Sequence, residues 1–254
     1  MLLKITPPAT LDFDINGFTL EMIEVQGGSF MMGGDEYDRE KPIHKVTLDS
    51  FLIGKYPVTQ ALWSALMPKN PSEFKGPNRP VEQVTWLDAA KFCNVLSKNQ
   101  GLKEVYEFNG EVEVLINYES NGFRLPTEAE WECAAKGGVV DGGKYYYAGS
   151  NDLNFVSWHE SNCHEQSQPV GLKMPNQLGI YDMSGNVWEW CNDWYMDYTE
   201  KEEENPIGSN IKTERVRRGG SWRFDYRGCR VAYRRSKPVE FLDDDLGFRL
   251  VLKR

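Results

Sequence analysis

The stretch FRLPTEAEWECAAKGG, residues 123–138, decides how the chain is to be read. Thr127 followed three residues later by Glu130 is a capping box, which satisfies two of the free N–H groups at a helix start. Gly137 is a fitting stop. A helix therefore starts after Thr127 and runs for about two turns. Its three glutamates, Glu128, Glu130 and Glu132, alternate with Ala129, Trp131 and Cys133. These acids could be taken for acid–base catalysts, but they read as structural residues. Glu130 already has its capping role, and Arg124 is a candidate partner for buried carboxylates, as are Arg234 and Arg249.

Upstream, TWLDAAKFCNVLSKNQG (85–101) is a second clear helix. Trp86, Ala89, Ala90, Cys93 and Leu96 recur at helical spacing, and Gly101 fits its end. Thr59 is a plausible N-cap for a shorter helix over 59–67. FTLEMIEVQGGSFMMGG (18–34) alternates and then breaks at glycines, as a strand and turn do. HKVTLDSFLIGKYPVT (44–59) holds two more strand-like runs, with Val46, Leu48, Phe51 and Ile53 apolar. Downstream of the 123–138 helix most of the chain is irregular, with short strands expected at 216–222, 229–234 and 246–254. Residues 1–17 read as an N-terminal leader and residues 18–254 as one domain, with no internal repeat. The aromatic residues Trp86, Trp131, Trp188, Trp190 and Trp194 are expected to fill a core that few regular elements could fill alone.

The chain has 254 residues, a net charge of −9 and five cysteines. An acidic surface argues against nucleic acid as partner. The cysteines are scattered, odd in number and without a CxxC pair, which argues against a disulfide framework and a structural zinc site. HESNCH (159–164) places His159, Cys163 and His164 together without a fourth ligand, and reads as a loop. TEKEEENP (199–206) reads as a solvated acidic loop. No apolar run reaches membrane-span length. The N-terminus carries no secretory pattern, so the chain reads as cytoplasmic as given, and as cell-surface where a signal or lipid anchor precedes it.

Taken in order, GGSFMMG, KPIHKVTLDSFLIGKYPVTQALW, RPVEQVTWLDAAKFCNVLS, FRLPTEAEWECAAKGG, NQLGIYDMSGNVWEWCNDWY, RVRRGGSW and LGFRLV closely resemble the formylglycine-generating enzyme family, the sulfatase-modifying factor domain, over roughly residues 20–252. The resemblance implies an α+β, C-type-lectin-like fold with two main helices, short antiparallel strands and much ordered irregular structure. It also implies an activity. Active members oxidise a sulfatase cysteine, within a Cys-x-Pro-x-Arg motif, to formylglycine at a copper ion held by two cysteines after GGS. A bis-thiolate suits Cu(I). Here the first of these positions is Phe224, and Cys229 is the only match for the second. A copper oxidase is therefore the alternative reading, with Cys229 and a distant cysteine such as Cys191 as its ligands. The family's thiol-to-sulfoxide branch relies on histidines of an added domain, and this chain has three histidines.

The loop GIYDMSGNVWEW (179–190) resembles the family's calcium loop. The resemblance implies a structural calcium ion on the side chains of Asp182 and Glu189 and the carbonyls of Gly185 and Val187, hard oxygens that suit this ion. The other reading of the same residues pairs Glu189 with an arginine and uses Asp182 to cap a turn.

The segment between GGSW and GFRLV mixes aromatic residues, arginines and acids without clear periodicity: Trp222, Arg223, Phe224, Asp225, Tyr226, Tyr233, Arg235, Phe241, Asp243 and Asp244. Such a mixture is typical of a recognition surface. It resembles the variable proteins of diversity-generating retroelements, whose C-terminal segment is rewritten at adenine-templated AAC codons. Most of these residues are reachable from AAC; Trp222, Lys237 and Glu240 are not. The expected function is non-catalytic binding of a protein ligand through residues 222–245. A subunit with no separable ligand is the third reading.

Overall fold

A computed structural model describes residues 8–110, 113–141, 143–211 and 213–254. Its first sheet holds strands β1 (Thr10–Ile15), β2 (Phe18–Val25), β5 (Phe51–Gly54) and β13 (Val251–Lys253), in the order β1-β2-β5-β13 and antiparallel throughout. β1 corrects the expected domain boundary. It pairs with β2 in unbroken register from Thr10↔Ile23 to Ile15↔Phe18. The pair is joined by Asn16 and Gly17, both at positive φ (53° and 90°), the backbone a tight hairpin turn requires. Asn-Gly was the signal for it. The earlier part of the expected leader, residues 1–7, lies outside the described residues.

Side-chain alternation sorts this sheet between two cores. Leu20 and Met22 of β2, Leu52 of β5 and Leu252 of β13 join one cluster. Ile23 and Val25, Phe51 and Ile53, and Val251 join the other. A strand flanked on both faces needs apolar residues at successive positions, which is what FLIG supplies. The first core takes helix α1 (Gln60–Leu66), capped by Thr59, and the long helix α2 (Trp86–Asn99). α2 starts with a capping box between Thr85 and Asp88 and buries Ala89, Ala90, Phe92, Cys93 and Leu96. The second core takes helix α3 (Glu128–Ala135), which starts with the expected Thr127–Glu130 box. It also takes β3 (Gly28–Met32) and β4 (His44–Leu48), which form a third sheet with β9 (Glu203–Glu204). A separate hairpin pairs β6 (Tyr106–Asn109) with β7 (Glu113–Ile116). Two four-residue helices, α4 (Gly138–Asp141) and α5 (Leu153–Val156), complete the helical part.

The remaining sheet positions the site. Its order is β11 (Arg234–Lys237), β10 (Arg215–Arg218), β8 (Trp188–Trp194), β12 (Leu246–Gly247). β11 corrects the expectation of a strand over 229–234: residues 229–233 are irregular and only Arg234 belongs to the strand. Alternation again divides roles along β10. Val216 enters the second core and Arg218 reaches α3, while Arg215 and Arg217 lie over indole rings on the other face.

All eight residues of α3 are buried, glutamates included. A buried carboxylate needs charge partners, and arginines supply them. Glu130 takes Arg124 at 2.6 Å. Glu128 takes both Arg234 (2.7 and 2.6 Å) and Arg218 (3.0 Å). Glu132 takes Arg218 and also Lys136, at 2.7 Å. Outside the helix, Glu40 takes Arg230 and Glu189 takes Arg249. Arg218, Arg230, Arg234 and Arg249 bracket and punctuate residues 219–248, so the segment is pinned at four points from beneath. Trp86, Trp131, Trp188 and Trp190 are fully buried, as expected, and Trp194 is partly so.

Candidate ligand-binding face

Gly220 opens the site. It sits at φ +70°, and a Cβ there would lie 2.4 Å from the carbonyl of Gly228. The chain is thereby folded back on itself over residues 220–228. Within that loop Phe224 N–H donates to Ser221 O, and Gly228 N–H donates to Asp225 O. The loop is tied to its surroundings by Trp222 N–H to Asn186 O at 2.9 Å and by Glu160 N–H to Phe224 O at 3.2 Å. Cys163 Sγ–H donates to Trp222 O at 3.2 Å. His159, in the same segment as Cys163, meets Asn154 at 3.1 Å. That segment serves as a loop support.

Arg223, Tyr226, Arg227, Pro238, Glu240 and Leu242 are exposed, with Phe224, Asp225, Arg235, Phe241, Asp243 and Asp244 half-buried beside them. Arg223 joins the two ends of the segment by pairing with Asp244 (2.5 Å) and Asp243 (3.5 Å). Arg227 lies against the Tyr226 hydroxyl at 3.0 Å. Two residues expected on the face are corrected. Trp222 is only 8% exposed and packs edge-on against Phe74; Tyr233 is 6% exposed and packs against Tyr37 and Trp188. Both are large enough that burial outweighs display, so they support the surface. Tyr233 still offers its hydroxyl to Arg235 at 2.8 Å.

Asp245 is buried. Its Oδ2 accepts from Ser221 at 2.6 Å, which closes the segment behind the face. Ahead of it, Glu82 holds the supporting loop: its carboxylate accepts from Glu73 N–H and Phe74 N–H, and burial pushes its pKa up to about 7.

The copper reading meets two obstacles in the residues present. Phe224 occupies the first ligand position and stands edge-on to Trp188, 5.1 Å between ring centroids. Cys229 is fully buried against Tyr147, Leu153 and Val156, and burial pushes its thiol up to about 12. Cys191 belongs to the second core, a different cluster. One protonated thiol beside a phenyl ring does not make a bis-thiolate site.

For the calcium loop, the Asp182 carboxylate accepts from Gly171 N–H (2.8 Å) and the Asn186 amide (3.3 Å), and burial raises its pKa to about 6. Glu189 accepts from Arg249 through both oxygens (2.6 and 2.7 Å) and from the Trp131 indole (2.6 Å). Gly185 and Val187 are buried nearby. In this arrangement the side-chain oxygens of Glu189 are taken by Arg249 and Trp131, and those of Asp182 by Gly171 and Asn186.

Sequence reasoning missed one part of the neighbourhood. Arg39, Tyr195, Glu214, Arg217 and Lys237 line a cavity of about 460 Å³ beside Phe224 and Arg235. Alternation along RVRR was the available signal for Arg217. Nothing local marked Arg39, which arrives from nearly two hundred residues away.

Residues 15–254 match the family described as the sulfatase-modifying factor enzyme 1-like domain. The chain is 37% identical to the chaperone protein LppX of Paenibacillus barcinonensis, over 91% of this chain and 89% of that protein. It is 28% identical to the formylglycine-generating enzyme of Thermomonospora curvata, over 94% of this chain and 97% of the enzyme. Among solved structures, Treponema denticola variable protein 1 superposes with a TM-score of 0.91 at 33% identity, covering 97% of this chain and all of that one. The C-type-lectin-like fold expected from the sequence is thereby shown. No described helix is long and apolar enough to cross a membrane.

Proposed function

The chain belongs to the sulfatase-modifying factor family, and we propose that this member binds a protein ligand through residues 222–245 instead of oxidising one. The observation that carries the reading is the separation of face from frame. Arg223, Tyr226 and Arg227 are exposed, while Arg218, Arg230, Arg234 and Arg249 hold the same segment to buried glutamates. A rigid mount lowers the ordering cost of binding, and Tyr and Arg are the side chains that most often carry binding energy. The likeness to a variable protein supports the same role, and so does a relative named as a chaperone, a class of protein that engages other proteins.

The test uses the immobilised full chain and an extract of the source cells. Wild type and Cys229→Ser are expected to retain the same captured protein. The double variant Arg223→Ala/Tyr226→Ala is expected to lose it, by roughly 30-fold or more in affinity if either residue is a hot spot. Equal capture by the double variant sinks the binding reading. Turnover of a Cys-x-Pro-x-Arg peptide with Cu(I) and oxygen, abolished in Cys229→Ser, would install the oxidase in its place.

Diversification is a further part of the proposal. Sequencing codons 215–254 across one growing population is expected to show variation at adenine-templated positions between Trp222 and Leu246, with the arginine codons of the frame silent. An invariant segment removes the retroelement and leaves a binder of fixed sequence.

A further inference from the structure

The cavity beside the face has an unbalanced charge. In the β10–β11 pair, Arg217 stands directly opposite Arg235, and Arg215 opposite Lys237. Like charges facing each other across strands repel. Arg215 is compensated by two indoles, with its guanidinium 3.8 Å from the Trp86 ring and 3.6 Å from the Trp194 ring, and by the Asn192 carbonyl.

Arg217 is compensated less. It is 8% exposed, its guanidinium lies 4.6 Å over Trp188, and its Nε has no hydrogen-bond partner. Burial lowers its pKa, and Asp245 and Asp243 oppose this only through space. Among the described residues, no carboxylate forms an ion pair with Arg217, Arg235, Arg39 or Lys237, yet all four line the cavity. The one carboxylate on the lining, Glu214, accepts the Ser236 hydroxyl at 2.6 Å. Four cations against one acid, in a chain of net charge −9, form a local reversal of sign.

We propose that this cavity receives a carboxylate side chain, glutamate or aspartate, of the protein ligand. The proposal rests on the binding reading above and names the chemistry of the contact. An anion would relieve the Arg217–Arg235 repulsion. Guanidinium forks match carboxylates with paired hydrogen bonds. Phe224 and Tyr195 on the lining suit an aliphatic stem carrying the charge, and at about 460 Å³ the space exceeds what a bare ion fills. Phosphate shares the oxyanion chemistry, so the experiment separates the two sources.

The probe is a fluorescently labelled hexaglutamate peptide, with hexaglutamine as control, followed by anisotropy on the full chain. Hexaglutamate is expected to bind, hexaglutamine not, and binding is expected to weaken with added salt. Arg235→Gln and Lys237→Gln, both at half-buried positions, are each expected to weaken it about tenfold. Arg217→Gln is expected to do at least as much, and circular dichroism checks that it folds. Equal binding of the two peptides, or unchanged binding in the Arg235→Gln/Lys237→Gln variant, overturns the proposal. So does saturation by inorganic phosphate with no binding of hexaglutamate, which would mark a free-anion site. Failure here with loss of capture in Arg223→Ala/Tyr226→Ala leaves the face standing and removes only the pocket. Hexaglutamate binding with capture unaffected by that double variant leaves an anion-binding cavity but removes the protein ligand as its occupant, and overturns the proposal with the face.

Discussion

Replacing Arg218 by methionine is expected to cost about 3–5 kcal/mol of stability, the loss seen when one partner of a buried ion pair is removed. Arg218 is fully buried and donates to Glu128 and Glu132 on α3 and to the Val231 carbonyl at 2.9 Å. After the change Glu128 keeps Arg234 and Glu132 keeps Lys136, but each holds one cation where it had two. A loss of this size is a large share of the 5–15 kcal/mol that stabilises ordinary proteins. Thermal denaturation should show a drop on the order of 10 °C. Arg223→Met, which breaks only partly exposed pairs with Asp244 and Asp243, is the control and is expected to cost about 0–1 kcal/mol. Similar losses in the two arginine variants would mean that burial does not set the difference.

The second large effect is expected at Arg249. Its guanidinium is fully buried, grips Glu189 through two nitrogens and donates to the carbonyls of Gly54 (3.0 Å) and Tyr181 (2.9 Å). Arg249→Met leaves Glu189 with the Trp131 indole alone, again at about 3–5 kcal/mol. This variant also decides the calcium question. With the guanidinium gone, Glu189 and Asp182 are free to face a cation. If millimolar calcium raises the melting temperature of Arg249→Met but not of wild type, the arginine has taken the ion's place. If calcium raises both, wild type binds the ion and Arg249 moves to admit it. If it raises neither, the loop holds no calcium in either form.

The helices were legible because their signals are local. Thr127 with Glu130 names a start within four residues, and Trp86, Ala89, Ala90, Cys93 and Leu96 mark one face of the longer helix. The fold followed from long motifs such as RLPTEAEWE and GNVWEW. The partner of each buried glutamate was less legible, since Glu128 meets Arg234 across more than a hundred residues of sequence. Arg218, Arg234 and Arg249 were identifiable as framework; Arg230 looks no different in sequence from the exposed Arg223 and Arg227. Display and burial could not be separated at Trp222 and Tyr233 either, because a recognition surface and a small core use the same aromatic residues. β1 carries only one local signal, the Asn16–Gly17 turn that joins it to β2. The cavity beside the face was illegible for a different reason. It is made by Arg39, from the N-terminal part, meeting two strands from the C-terminal part.

The order of the last elements has a consequence for protein synthesis. Residues 246–253 follow the displayed segment and contribute Leu246, Phe248, Leu250 and Val251 to the two cores, with β13 closing the edge of the first sheet. A ribosome that stops or slips frame anywhere in residues 222–245 therefore releases a chain without these plugs, and with Glu189 lacking Arg249. Such a product is left with open cores and an unmatched buried acid. Only a chain whose reading frame is kept through residues 222–245 carries the side chains that close both cores.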